Sequence, residues 1–342
     1  MTQITGTTRW EQYSEAARLL LSQGDQSRAA EALAAAARAA EREFGEHSLQ
    51  AAASLSALGQ LAYQQRDHGA AGEHFRRALE IRDRALGPDH LGVAQAINNL
   101  AAVYVTANDL ERAEPLLLRS LAIVERQRGP SHPDVALGLN NLAKLYFKRG
   151  DLGRAEPLLR RLLAIKQAQG AEHPEVATVL ASLATLEQAR GDHAAAEALW
   201  RDALAVREQA TSATDAAIAP LIENLADCCA AQGKGDDALE LRQRALAIRE
   251  HALGADHPSV AAARARVIAL RQAGAGVAPE RSTPRQHRLS QLHLAPIETS
   301  APRPREPLPP SRAGIGADDA VWRTPDASPP PHVAPPHVAP PP

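Results

Sequence analysis

Four kinds of residue in this chain have the type and spacing to do chemistry. His90, His132, His173 and His257 share one register of a 41- to 43-residue step. A histidine ladder could bind metal, but metal–ligand bonds are about 2 Å long. One histidine per step is too widely spaced to share a coordination shell, and each stands where a helix is expected to start. Cys228 and Cys229 are adjacent, and the chain has no other cysteine. They could sense redox state, but no second pair completes a zinc site or a disulfide framework. Gly233-Lys234-Gly235-Asp236 lacks the spacing of a phosphate loop and follows no strand, so it reads as an inter-helix turn. The fourth kind is the amide, in Asn98-Asn99 and Asn140-Asn141. A carboxamide offers two donors and an acceptor, which matches the needs of a peptide bond. A row of them can grip an extended backbone. No Ser/His/Asp constellation, metal-ligand spacing or cofactor loop accompanies them. The expectation is therefore no enzyme, no cofactor and no metal.

The amides belong to a repeat. Asn98-Asn99-Leu100-Ala101 returns 42 residues later as Asn140-Asn141-Leu142-Ala143. A small residue thirteen places after the leucine recurs as Ala113 and Ala155, and the frame extends to Ala29, Ala71, Ala196 and Ala238. A period of this length means stacked supersecondary units. Each unit reads as two helices. His132-Pro133 opens one, since proline wastes no amide proton at a first helical position. Val135, Leu139, Leu142, Leu145 and Tyr146 follow at helical spacing. Gly150 and Asp151 stop that helix and cap the next. The same grammar predicts helical pairs at 10–44, 47–86, 90–128, 132–169, 173–209 and 214–253, then a single helix to 273. Arg264, Arg266 and Arg271 give that last helix the wet outer face of a terminal cap. Residues 1–9 read as a flexible start.

Some features depart from the pattern. Pro115 and Pro157 sit inside second helices, which predicts a bend or a later helix start. Thr211-Ser212-Ala213-Thr214 replaces the usual Gly-x-x-His-Pro punctuation. Glu187 and Arg242 occupy apolar slots, and Trp200 occupies a core slot. The fourth and fifth units are expected to be the least tightly joined.

Apolar residues make up 44% of the chain but aromatics only 3%. Alanine and leucine dominate, and both favour helix. Formal net charge is −2, so no global field draws in nucleic acid or an anionic membrane. The first fifteen residues have no apolar run of the signal-peptide kind, and no segment is long enough to span a bilayer. A cytoplasmic location is the expectation. From residue 274 the composition shifts, and 17 of the 25 prolines fall in the last 69 residues. Such sequence cannot bury enough surface to offset ordering entropy, so a disordered tail with polyproline II character is expected over 274–342.

The repeat resembles the tetratricopeptide family, in the 42-residue form of kinesin light chains and bacterial relatives. The carrying motif is Asn-Asn-Leu-Ala-x-x-Tyr, then Gly-Asp-Leu-x-x-Ala-Glu-Pro-Leu-Leu, then Gly-x-x-His-Pro-x-Val-Ala. It is clearest over 90–203 and recognisable over 47–273. The resemblance implies an all-α, right-handed α-solenoid whose first helices line a concave groove. It also implies a non-catalytic scaffold that holds a partner peptide or domain there. The groove positions it implies are Gln95, Asn98, Asn99 and Thr106; Asn140, Asn141, Lys144 and Lys148; Ser182, Thr185 and Gln188; and Glu223, Asn224 and Asp227. Lys144 and Lys148 would favour an acidic ligand residue, and Glu223 and Asp227 a basic one. The family's carboxylate-gripping subset uses a fuller basic set than this chain shows. Trp322, within Asp318-Asp319-Ala320-Val321-Trp322, resembles the peptides that kinesin light chain grooves accept. Such a segment could occupy the groove and compete with partners. Pro307 to Arg312 fits a ligand for polyproline-binding grooves. A self-assembling scaffold or a regulatory subunit is the alternative reading.

Overall fold

The structure is a computed structural model and describes residues 7–170, 174–210 and 215–274. Among these residues there are thirteen helices and no strand. The first helices of successive units are α1 (Arg9–Ser22), α3 (Leu49–Gln64), α5 (Leu91–Thr106), α7 (Val135–Arg149), α9 (Pro174–Arg190), α11 (Ala219–Ala231) and α13 (Pro258–Gly274). The second helices are α2 (Gln26–Phe44), α4 (His68–Leu86), α6 (Leu110–Arg128), α8 (Leu152–Gln169), α10 (His193–Ala210) and α12 (Gly235–Leu253). Each helix packs on the one before and the one after, and α3 also touches α5. The product is an α-solenoid of six hairpins and a closing helix. No helix among the described residues is long and apolar enough to cross a membrane.

The turn inside each hairpin is written in two residues. Asp25, Asp67, Asp109 and Asp151 each accept a hydrogen bond from the backbone N–H three residues on, at 2.9–3.2 Å. Each such cap stabilises its helix by about 1 kcal/mol. The residue before them must turn left-handed. Gly150 does so at φ +80°, but Arg66 and Asn108 do so at +64° and +62°. Asparagine tolerates this region and arginine does not. Arg66→Gly should therefore raise stability by about 1 kcal/mol, read as a higher urea midpoint at unchanged slope; a lower midpoint would show that Arg66 is not strained.

The recurring histidines have a capping role in these inter-unit turns. The Nδ1 atoms of His90, His132 and His257 accept the backbone N–H of Gly92, Asp134 and Ser259 at 3.0, 3.1 and 3.2 Å. Among the described residues no group of side chains is placed to hold a metal ion.

Close packing explains the small residues. Ala29, Ala71, Ala113, Ala155, Ala196 and Ala238 are all fully buried where second helices meet their neighbours. On the first helices Gly59, Ala101, Ala143, Ala184 and Ala226 are buried as well. A Cβ on Gly59 would lie 2.8 Å from the Phe75 ring, so the bulkier partner there demands the smaller residue. Cys229 is fully buried in the slot that Tyr104 and Tyr146 hold in other units. Burial also pushes the Cys228 thiol up to about 12. Both behave as small hydrophobes, since thiolate chemistry needs the opposite shift.

Ion pairs between second helices repeat with the frame. Arg77 pairs with Glu41 at 2.7 Å, Arg119 with Asp83 and Arg161 with Glu125 at 2.5 Å, and Arg244 pairs with Glu208. The register skips once. Between α8 and α10 the two positions hold Gln167 and Asp202, so the fourth and fifth units lack this cross-link. Exposed pairs contribute about 0–1 kcal/mol each, so the loss is local.

One expectation changes. α6 and α8 start at Leu110 and Leu152 and continue past Pro115 and Pro157. The helices therefore do not begin later. The buried Ala113–Leu117 and Ala155–Leu159 pairs anchor the chain on either side of each proline, and the lost hydrogen bond faces out. At the other end, α13 carries exposed Arg264 and Arg271 where the other first helices have core residues such as Ile97 and Tyr104. Ile268, 48% exposed, fills the position of the small close-packing residue. These residues leave that side of α13 in water.

Candidate functional site

On α5, α7, α9 and α11 one narrow stripe lies nearest to solvent. It passes through Gln95, Asn98 and Asn99 to Thr106 on α5, and through Leu137, Asn140 and Lys144 to Lys148 on α7. It continues through Thr178 and Thr185 on α9, and through Pro220, Glu223, Asn224 and Asp227 on α11. The rest of α5 and α7 is almost wholly buried. The stripe is therefore polar and short, and it is bounded by core.

Along it the expected residues lie at different depths. Asn140, Asn224 and Asp227 are half-buried and Lys148 is exposed. Asn98, Asn99, Asn141, Lys144 and Ser182 are buried, Asn141 completely. The Oδ1 atoms of Asn98 and Asn99, and both amide atoms of Asn141, have no hydrogen-bond partner. Sheltering such an atom unpaired costs about 1–3 kcal/mol. These amides carry unspent hydrogen-bonding capacity, and that of Asn141 is fully covered.

Other expected residues are already engaged. Ser182 Oγ donates to the Thr178 carbonyl at 2.9 Å, and Thr185 Oγ1 to that of Ala181 at 2.8 Å. Thr106 Oγ1 donates to Ala102 and meets the Tyr63 hydroxyl at 2.7 Å, which joins α3 to α5. Gln188 accepts the Trp200 indole proton at 3.1 Å, so it serves the core. Lys148 Nζ donates to the Val105 carbonyl at 2.6 Å. Asp227 pairs with Arg242, and Glu223 takes Arg249 at 2.8 and 3.0 Å. The two carboxylates are thus matched within the chain. Trp322 and the Pro307–Arg312 segment lie outside the described residues.

Sequence reasoning missed a cationic register on the second helices, from which Arg82 and Arg249 reach residues of the stripe. Arg82, Lys166, Arg207 and Arg249 share one register of the repeat. Arg82 is buried and donates to the Gly92 carbonyl at 3.1 Å and to Gln95 Oε1 at 3.2 Å. Burial lowers its guanidinium to about 10, which leaves it cationic at neutral pH. Lys166 pairs with Glu175 at the start of α9. The signal is present in the repeat register, as a cation at one position of four second helices.

Among curated proteins none matches this chain in sequence. Solved structures do match in fold. A kinesin light chain from Podosopora anserina, described as putative and built of nearly identical TPR-like repeats, is 23% identical with a TM-score of 0.54, over 58% of this chain and 95% of that one. BtubC (BKLC) from P. vanneervenii is 21% identical with a TM-score of 0.52, over 81% and 97%. PilW, a type IV pilus biogenesis factor, is 17% identical with a TM-score of 0.53, over 77% and 99%. At these identities the likeness is one of fold. The tetratricopeptide repeat model matches residues 52–126, 109–168, 134–209 and 216–267, together more than half of the chain. The small-residue slots, the capped turns and this match agree: the chain belongs to the tetratricopeptide repeat family.

Proposed function

We propose that this protein is a non-catalytic interaction scaffold that holds an extended segment of a protein partner against its first helices. The observation that carries the reading is the stripe itself. Its amides on α5 and α7 have hydrogen-bonding capacity that the fold does not use, and the rigid hairpins around it are formed before any ligand arrives. A preorganised face leaves most of the ordering cost to the ligand. Asn140 and Asn224 would meet a backbone first, with Asn98, Asn99 and Asn141 beneath, and Lys144 and Lys148 would select charge. Ser182 would contribute only as an acceptor. Stacked helical hairpins that present a long surface suit binding, as repeat architectures do in general.

The test uses a peptide selected from a random library against the full chain. Replacing Asn141 and Lys144 together by alanine should weaken its binding by at least about tenfold, the loss of one neutral and one charge-assisted hydrogen bond. Far-ultraviolet circular dichroism should be unchanged. Lower helicity would make the two residues structural, and unchanged affinity would place the ligand elsewhere.

A further inference from the structure

Arg242 stands in a slot that the other second helices fill with Leu33, Phe75, Leu117, Leu159 and Trp200. All five are buried. A cation there gains nothing from apolar packing and gives up hydration. Yet its side chain keeps only 14% exposure, and its guanidinium lies on the Asp227 carboxylate. One turn earlier on α11, Glu223 accepts Nε and Nη2 of Arg249 at 2.8 and 3.0 Å, a fork-on-fork pair. Arg266 of α13 approaches the same carboxylate at 3.9 Å. The two acids on the stripe of α11 are thus met by three guanidinium groups. On α7 the balance is different. Lys148 is exposed there, and its Nζ rests on the neutral Val105 carbonyl rather than on an acid.

A closely paired acid and base present a dipole to a ligand, and its field falls off much faster than that of a single charge. We propose that Arg242 and Arg249 set the charge preference of this face at α11, resting on the peptide-holding reading above. By neutralising Asp227 and Glu223 they remove selection for cations at α11. The partner segment is then acidic where it crosses α7 and uncharged where it crosses α11. Arg242 serves this end at the expense of a core position, which explains a charge where the repeat calls for an apolar side chain.

The test measures fluorescence anisotropy of three short labelled probes on the full chain at low salt. One alternates Glu and Gly, one Lys and Gly, and one Ser and Gly. The wild type should prefer the Glu-Gly probe over the Lys-Gly probe by about tenfold. Arg242→Leu with Arg249→Gln should shift that ratio towards Lys-Gly by about tenfold or more. Adding Asp227→Asn and Glu223→Gln should cancel the shift. If Arg242→Leu lowers helicity, Arg249→Gln alone, outside the core slot, should still move the ratio in the same direction. A purely structural role would change helicity or stability and leave the ratio fixed. An unchanged ratio in folded variants, or a wild type that prefers Lys-Gly, overturns the proposal. Absence of binding by all three probes, Ser-Gly included, to every variant overturns the peptide-holding reading and the proposal with it.

Discussion

Trp200→Ala should destabilise the protein by about 3–5 kcal/mol, the range for deleting a large aromatic from a closed core. Trp200 is fully buried and packs among Leu180, Leu221, Leu225 and the two cysteines. It is the largest side chain in the register that Leu117 and Leu159 hold elsewhere, so its loss leaves the largest hole. It also orphans Gln188, whose Oε1 accepts the indole proton. Nearest-neighbour coupling in a solenoid should confine the damage to the fifth and sixth hairpins. Hydrogen exchange should show α9 to α12 opening while α3 to α6 keep their protection. Uniform loss of protection would mean that the stack unfolds as one unit, and a cost below about 1 kcal/mol would mean that the site collapses to fill the hole.

Glu197→Ala should cost roughly 2–3 kcal/mol. The Glu197 side chain is 4% exposed and gathers Lys234 at 2.7 Å, Arg201 at 2.6 Å and Gln232 Nε2 at 2.6 Å. It thereby ties α10 to the turn between α11 and α12. Breaking a fully buried pair costs about 3–5 kcal/mol. Lys234 and Arg201 are about half exposed, so water recovers part of that. The hydrogen bond from Lys234 is the main reason the Glu197 carboxyl lies below its ordinary value of 4.5. A lowered carboxyl contributes stability above its unfolded value and loses it as pH falls through the folded one. The gap between wild type and Glu197→Ala should therefore be full at neutral pH and shrink below about pH 4.5. A gap independent of pH would assign the effect to packing. Lys234 also explains a missing cap, since α12 has no side-chain cap where α4, α6 and α8 have aspartate. An aspartate there would face Glu197.

The repeat made the fold readable. The alanine register, the Gly-Asp turns and the His-Pro starts are local signals that return every 41 to 43 residues, and each recurrence tests the last. The register of the stripe was readable for the same reason, because Asn98, Asn140 and Glu223 share one helical position, but its depth was not, since Asn98 is buried and Asn140 half-buried. Side-chain partners were not. Gln188 meets Trp200, Asp227 meets Arg242, and Glu223 meets Arg249, over separations of 12, 15 and 26 residues. Those pairs depend on how each hairpin sets long side chains across its seam, which no single register encodes. The later helix start allowed at the prolines failed for a related reason. An interior proline is costly in an isolated helix, but buried alanine and leucine on either side hold α6 and α8 in place.

Amide hydrogen exchange of the full chain, with and without a saturating library-selected peptide, tests the central claim most directly. Binding against the first helices should slow exchange in α5, α7, α9 and α11, most strongly around Asn98, Asn141 and Asn224, and leave α4, α6, α8 and α10 unchanged. Protection confined to the second helices, or to residues beyond 274, would contradict the account.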